Sequence, residues 1–468
     1  MLTKQILRDF VRDALPRLAA SRKDTETSWE DETRWERGSD GHCRVHKKRI
    51  YTLSPLLSDE WLQSLNGYKE CVEQLKADTV FGSHLDRLVG TRMGGTRIEP
   101  RNILVSLMYA MLDDFGNLVF TDDVFESEWK DWVDFFKSSD FALKMVAPLP
   151  YLVLPKVPLR LNGEIVLDRL TDEEITRCCS IGVLRPTSLR FPFIDGGMAV
   201  GIRRTLRLAK TIRADTDAYE LPNDEGEGRF GHRPSLRDDL VVDDVLSALR
   251  LYMPTKIHTA GHASWTDAPW LNASTSYRVL NQWPYRGGTG LSEVDVSHFL
   301  ALWQQLEEGA LRFRFSIHRF NLAFDRGLLD DRLVDLVIAA EALFLSDTNS
   351  KDRGELRFRF SLRAAKFINH PTFSEHEVFR VMRDAYDGRS SIVHGGTANG
   401  MRLPHNPSVN LVTFIDAIEE LVRLGLRKAL AMKEGGNKLR ESEYWDALVL
   451  TKRASHVGSS GTADDVVA

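Results

Sequence analysis

The stretch LVDLVIAAEALFL at 333–345 is apolar at nearly every position, and its length and composition predict a helix. A helix that is apolar on every side is buried at the centre of a domain. Glu341 is an anomaly in this stretch, because a carboxylate among Val337, Ile338 and Leu345 must be paired with a cation or have a shifted pKa. The stretch therefore predicts the central helix of a helical domain.

Further helices surround this stretch in the sequence. Apolar residues recur there at helical spacing between polar ones, which is typical of amphipathic helices packed on a common core. The chain is therefore predicted to form an all-α domain at 286–435, followed by a polar tail at 436–468. Its predicted helices span about 292–326, 331–345, 354–368, 374–386 and 409–432.

The segment DAYDGRSSIVHGG at 384–396 follows the fourth of these helices. Arg389 and His394 lie on adjacent turns, and we expect them to face one groove. A guanidinium is a permanent cation whose planar fork suits phosphate, and an imidazole exchanges a proton near neutral pH. The pair suits attack of a ribose 2′-hydroxyl on the neighbouring phosphodiester without a metal. In the alternative, Arg389 forms an interhelical salt bridge and His394 caps a helix that Gly395–Gly396 end.

Three blocks of this region, in this order, resemble the Apea-like HEPN family (higher eukaryotes and prokaryotes nucleotide-binding). They are DRLVDLVIAAEALFL at 331–345, ELRFRFSLRAA at 355–365 and DGRSSIVHGG at 387–396. The resemblance covers roughly 290–435, about a third of the chain. It implies a helical bundle, and in many members two copies dimerise so that their Arg-x4-6-His motifs meet at one composite site. Active members are metal-independent endoribonucleases of toxin–antitoxin and antiphage systems, whereas others bind nucleotides or RNA without cutting.

The resemblance also implies a role for each residue of the motif. Arg389 would stabilise the pentavalent phosphate, and His394 would act as base or acid. Ser390 would hydrogen-bond the phosphate or orient a partner group. The expected function is therefore a metal-independent endoribonuclease of antiphage defence or stress response. The alternative is a non-catalytic module of the same fold that binds RNA or nucleotides or only dimerises.

Glu341 matches the acid of the family's second helix, which implies that it holds Arg389 or His394 in place. A structural ion pair with Arg319 or Arg363 is the equally weighted alternative.

Three basic residues recur on the predicted third helix. Arg359, Arg363 and Lys366 are spaced at i, i+4 and i+7, so they share one face of the helix. They predict a basic ridge that could contact RNA, and a solvated helix face is the ordinary alternative.

The rest of the chain predicts other architectures. Residues 1–145 have a mostly helical pattern, with a loop over 22–50, and no function is assigned to them. From about 146 to 285 prolines and short apolar runs predict a mixed α/β region with a possible sensor or regulatory role. Within it, 163–170 predicts a strand, and Thr171 with Glu174 predicts a capping box. The whole chain is thus a multidomain α+β protein.

Composition limits the function classes. The 468 residues include 62 basic and 67 acidic side chains, a formal net charge of −5, which argues against wholesale coating of nucleic acid but allows a local basic groove. Hydrophobic residues at 43% and charged residues at 28% exclude a disordered or fibrous chain. The sequence contains no apolar run of membrane-spanning length and no secretory signal, which predicts no membrane contact and a cytoplasmic location. No cofactor or metal is predicted; the expected partners are RNA, with tRNA among the candidates, and a second copy of the chain.

Overall fold

The computed structural model describes most of the chain. The described residues are 2–23, 29–37, 43–51, 57–91, 94–112, 117–149, 152–180, 200–213, 238–255, 257–259, 261–266, 274–277, 289–290, 293–347, 355–398, 401–404, 406, 408–432 and 438–450.

The chain divides into two compact units. Unit one comprises 1–228, 233–245 and 257–300, and unit two comprises 229–232, 246–256 and 301–468. The predicted boundary at 145/146 falls within a strand, and both sides of it belong to unit one. The helical C-terminal unit differs from the predicted 286–435, because it begins at 301, includes 246–256 and continues past 435.

Helices of the N-terminal region pack around one apolar core in unit one. Leu7, Leu104 and Trp132 are among its fully buried residues. The spacing of these residues buries one face of each helix, which confirms the predicted helices of this region. The helices are α1 (Leu2–Lys23), α2 (Asp59–Ser64), α3 (Tyr68–Ala77), α4 (Pro100–Ala110) and α5 (Asp122–Lys137).

The loop predicted over 22–50 is wrong, because two antiparallel strands occupy most of it. They are β1 (Trp29–Arg37) and β2 (Cys43–Tyr51). Their register places positions 31 and 32, which are acidic, opposite positions 49 and 48, which are basic. The segment lacks the alternation of apolar and polar residues from which strands are usually predicted.

Most of the remaining strands of unit one pair antiparallel. A six-stranded sheet has the order β12-β11-β5-β9-β8-β7, and a three-stranded sheet has the order β10-β3-β4, while β13 pairs with β6 in parallel. The mixed middle region is therefore α+β, and its main sheet is antiparallel. The strands are β3 (Arg87–Thr91), β4 (Gly94–Ile98), β5 (Asp140–Leu149), β6 (Leu152–Val153), β7 (Leu159–Arg160), β8 (Ile165–Arg169), β9 (Val200–Ala209), β10 (Thr211–Arg213), β11 (Gly261–Thr266), β12 (Ser274–Tyr277) and β13 (Thr289–Gly290).

The predicted capping box of the middle region is present at the start of α6 (Asp172–Ser180). The Glu174 amide donates to the Thr171 hydroxyl at 3.2 Å, and the Thr171 amide donates to the Glu174 carboxylate at 2.7 Å. Each side chain satisfies a backbone donor that the first helical turn leaves unpaired.

Unit two is helical, as predicted. Helix α9 contacts α10, α11 and α12, and its buried residues lie on nearly every side, which confirms the prediction of a central helix. Among the described residues, no helix is both long and apolar enough to cross a membrane. The helices are α7 (Asp238–Tyr252, in unit two from Leu246), α8 (Glu293–Ala323, in unit two from Ala301), α9 (Leu329–Phe344), α10 (Leu356–Phe367), α11 (Glu375–Val393), α12 (Leu411–Ala431) and α13 (Ser442–Leu450).

The prediction of a polar tail from 436 is wrong for its first part, because α13 belongs to the core of unit two. Trp445 is fully buried, and its ring lies 6.1 Å from that of Phe344 and 5.7 Å from that of Phe367. Its indole N–H donates to the Leu439 carbonyl at 2.9 Å. Residues 451–468 lie outside the described part of the chain.

We expect Trp445→Ala to lower the free energy of unfolding of unit two by about 3–5 kcal/mol, because it leaves a large cavity among aromatic rings. Leu450→Ala is the matched control on the same helix, since Leu450 is 82% exposed, and it should change stability by less than about 0.5 kcal/mol. Urea denaturation of the full chain measures both. Equal midpoints for the two variants would show that α13 does not contribute to the core.

Candidate functional site

The motif segment lies within a helix. Helix α11 was predicted to end at Tyr386 but runs to Val393, so Arg389 and Ser390 are helical residues. Gly388 lies inside α11, where a Cβ would come within 2.5 Å of the Met401 Cε and 3.3 Å of the Leu333 Cδ2. The close approach of these side chains favours a residue without a Cβ at this position.

The end of α11 has a defined geometry. His394 is the C-cap and Gly395 follows with φ +82°. The Gly396 amide donates to the Ser391 carbonyl at 2.9 Å, and the Gly395 amide donates to the Ile392 carbonyl at 3.0 Å. This is a Schellman motif, and it confirms that the two glycines end the helix.

Arg389 and His394 point to different sides of α11. Five residues at 3.6 per turn separate their directions by about 140° around the helix axis. Arg389 is directed towards α9, whereas His394 is exposed. They therefore do not face one groove of the same chain, as the sequence spacing led us to expect.

Glu341 on α9 is the neighbour of Arg389. The Glu341 Oε2 lies 3.7 Å from a terminal guanidinium nitrogen of Arg389, and the two side chains are 21% and 29% exposed. The alternative partners are excluded by their own contacts, because Arg319 pairs with Asp335 at 2.8 Å and Arg363 pairs with Asp347 at 2.6 Å. The predicted contact between Glu341 and Arg389 is thus present.

The guanidinium of Arg389 retains unused donors. It makes no hydrogen bond to any side chain or carbonyl that the structure describes, and its buried Nε–H has no acceptor among these residues. A guanidinium has five N–H donors in a planar fork. The unused N–H groups of Arg389 can donate hydrogen bonds to a ligand that has several oxygen atoms.

Tyr386, one turn before Arg389, belongs to the same surroundings and was not singled out from the sequence. Burial raises the pKa of Tyr386, the charge of Glu341 raises it further, and Arg389 opposes both. Its ring packs on Phe360 with centroids 5.6 Å apart. Tyr386 could have been identified from the sequence, because it lies within the motif segment at 384–396.

The predicted basic ridge on α10 does not form an exposed surface of three free cations. Arg363 is buried, where it donates to both Asp347 carboxylate oxygens and to the Phe344 carbonyl. Lys366 pairs with Glu375 at 2.7 Å. Arg359 differs from the other two, because its side chain is partly exposed and makes no hydrogen bond to the described residues. The three residues do lie on one helix, as their spacing predicted, but Arg363 faces the core of unit two and not the solvent.

The Arg363–Asp347 pair is a structural one. Burial by itself would raise the pKa of Asp347, but hydrogen bonds from Arg363 and Ser442 hold this pKa below its usual range. The pair connects the end of α9 with α10 and α13.

We expect Arg363→Gln to lower the free energy of unfolding by about 3–5 kcal/mol, because it leaves the Asp347 carboxylate buried without its cation. Arg359→Gln is the matched control on the same helix and should change stability by less than about 0.5 kcal/mol. Urea denaturation midpoints measure both. If Arg363→Gln were as stable as Arg359→Gln, the structural role of Arg363 would be excluded.

The stability of the site depends on pH through Glu341. Burial raises the pKa of Glu341, and the charge of Arg389 only partly offsets this effect. The folded chain therefore keeps the proton at a pH where the unfolded chain has released it. Protonated Glu341 therefore adds to the free energy of unfolding. This contribution is fully present below the usual pKa of a glutamate and is lost as pH rises through the folded-state pKa.

We expect Glu341→Gln to remove the loss of stability that ionisation of Glu341 causes as pH rises, because glutamine stays neutral. Relative to wild type, the variant should gain stability as pH rises from about 4 to 8. Urea denaturation at a series of pH values measures the difference. Parallel stability curves for the two proteins would show that Glu341 has no raised pKa.

The described residues contain no group of three or more His, Cys, Asp or Glu side chains placed to hold a metal ion. A comparison of the chain with protein-family models, with curated proteins and with solved structures finds no match.

Proposed function

We propose that this protein is a metal-independent endoribonuclease of the HEPN type, acting in antiphage defence or stress response in the cytoplasm. The observation that carries the proposal is the half-buried guanidinium of Arg389, which is held near Glu341 and has unused donors. It lies on the same helix as the exposed imidazole of His394. A cation that stabilises negative charge on the phosphate and an imidazole that transfers protons both promote phosphodiester cleavage by a ribose hydroxyl.

The divergent directions of Arg389 and His394 support a homodimeric site. If both groups act at one phosphate, a second copy of the chain has to supply the missing one. A composite site of this kind would place His394 of one copy beside Arg389 of the other.

The proposed reaction is a transesterification. His394 removes the proton of a ribose 2′-hydroxyl, and the 2′-oxygen forms a bond to the adjacent phosphorus. Arg389 neutralises the charge of the pentavalent phosphate, and Ser390 donates a hydrogen bond to it. The bond from phosphorus to the 5′-oxygen breaks, and the protonated His394 delivers the proton to that oxygen. The products are a 2′,3′-cyclic phosphate and a 5′-hydroxyl.

Glu341 is a positioning residue in this scheme. Its carboxylate limits the orientations of the Arg389 guanidinium and leaves the fork open on the side away from α9. Arg359 is the one member of the predicted ridge that remains suited to an RNA phosphate, because Arg363 and Lys366 have carboxylate partners.

A non-catalytic module that binds RNA, binds nucleotides or only dimerises is the second candidate. It is favoured by the C-cap position of His394 and by the interhelical position of Arg389 and Glu341, since both arrangements also stabilise a bundle.

We expect the full-length protein to cleave total RNA or tRNA in the presence of EDTA and to leave fragments that end in 2′,3′-cyclic phosphate. Arg389→Ala and His394→Ala should each slow cleavage by about 100-fold or more, because each removes a group needed in the transition state. His376→Ala is the matched control, an exposed histidine in the first turn of the same helix, and should cleave like wild type. Circular dichroism verifies that all variants are folded.

Equal cleavage by wild type and His394→Ala would refute the catalytic assignment. RNA that stays intact with wild type, but is bound with an affinity that falls steeply with salt, would favour the non-catalytic module.

A further inference from the structure

A cleft of about 540 Å³ lies between α11 and the segment 401–406 in unit two. Pockets for small molecules usually measure about 300–1,000 Å³, so its size suits a ligand such as a mononucleotide. Neither Arg389 nor His394 lines the cleft.

Packing fixes both walls of the cleft. On α11, Arg380, Val381 and Asp384 lie on one stripe of the helix. On the other wall, Leu403 and Asn406 exchange two backbone hydrogen bonds of 3.0 and 3.1 Å. The buried side chain of Met401, which contacts Gly388, anchors this segment to α11.

Two exposed arginines flank the cleft. Arg380 and Arg402 come from opposite walls, and neither has a hydrogen bond or ion pair among the residues that the structure describes. Glu377 also lines the cleft, but its carboxylate accepts from the Ser374 amide and hydroxyl at the start of α11. Two planar forks without a carboxylate partner are suited to a phosphate group.

Asp384 places a hydrogen-bond acceptor in the same cleft. Its carboxylate is half-buried and accepts no hydrogen bond from the described residues. Burial raises the pKa of Asp384, and the charges of Arg383, Arg402 and Arg380 act against this effect. A desolvated carboxylate of this kind gains most from a ligand that donates two parallel hydrogen bonds.

We propose that the cleft binds a guanine nucleotide. Arg380 and Arg402 hold the phosphate, and Asp384 accepts hydrogen bonds from N1–H and the 2-amino group of the base. Val381, Leu403 and Pro404 contact the face of the ring. Among the common bases, guanine alone carries two adjacent donors on one edge, whereas adenine and cytosine place an acceptor beside their amino group and uracil has a single N–H.

Calorimetric titration of the full chain with GMP tests the proposal. We expect wild type to bind GMP about 10-fold or more tightly than AMP, IMP or inorganic phosphate, because each of these lacks a contact. Arg380→Gln and Arg402→Gln should each weaken GMP binding about 10-fold. His376→Gln is the matched control, since His376 is an exposed residue of the same helix and does not line the cleft.

Asp384→Asn provides a gain-of-function test. An asparagine amide accepts from N1–H but donates at position 2, so its complement is xanthine, which has a carbonyl there. The variant should lose affinity for GMP and bind XMP in its place, which unfolding of the cleft could not produce.

Two results would overturn the proposal: no binding of GMP to wild type at millimolar concentration, or equal binding of GMP and AMP. A short RNA with a single guanosine, compared with the same RNA without it, identifies the source of the ligand. Tighter binding of this RNA than of GMP would assign the cleft to a guanosine within RNA, and tighter binding of GMP would assign it to a free nucleotide.

Discussion

A buried network of charges determines how the helices of unit two pack. Arg332 on α9 and Arg423 on α12 both donate to the Glu419 carboxylate, and the Arg423 Nε donates to the Arg250 carbonyl on α7 at 2.8 Å. Arg250 is fully buried and donates in turn to the Asn321 carbonyl on α8 at 3.1 Å. An ion removed from water without a partner costs several kcal/mol. Helix positions that separate these ions from their partners are therefore less stable.

This constraint places the candidate site. The network fixes the first turn of α9, and the apolar surface of the same helix fixes its rotation. Glu341, further along α9, is thereby directed at α11, where Arg389 lies 3.7 Å away. The contrast with Arg363 and Arg423 is informative, because each of these donates to a carboxylate and to a carbonyl, whereas Arg389 makes no hydrogen bond to the described residues. The guanidinium of Arg389 is therefore the one of the three that is available to a ligand.

Much of the helical architecture was predictable because its signals are local. The periodicity of apolar residues and the capping residues Thr171 and Glu174 act within a few positions of the chain. The errors arose where a distant contact decides the structure. The strands over 29–51 depend on pairing between charged segments, and α13 becomes a helix of the core because Trp445 enters an aromatic cluster. The end of α11 was placed at Tyr386, although the helix continues through Gly388, whose close approach to Met401 is a contact between residues of different segments.

The sequence by itself determined the residue types of the site and the central position of α9, because both depend on composition and on a spacing of 3.6 residues. It also identified Glu341 as a buried acid, since a carboxylate in an apolar helix must find a cation. Only the tertiary structure decided that this cation is Arg389 and that Arg363 is internal. These outcomes depend on how helices rotate against each other, and rotation follows from the sum of many contacts between residues far apart in the chain.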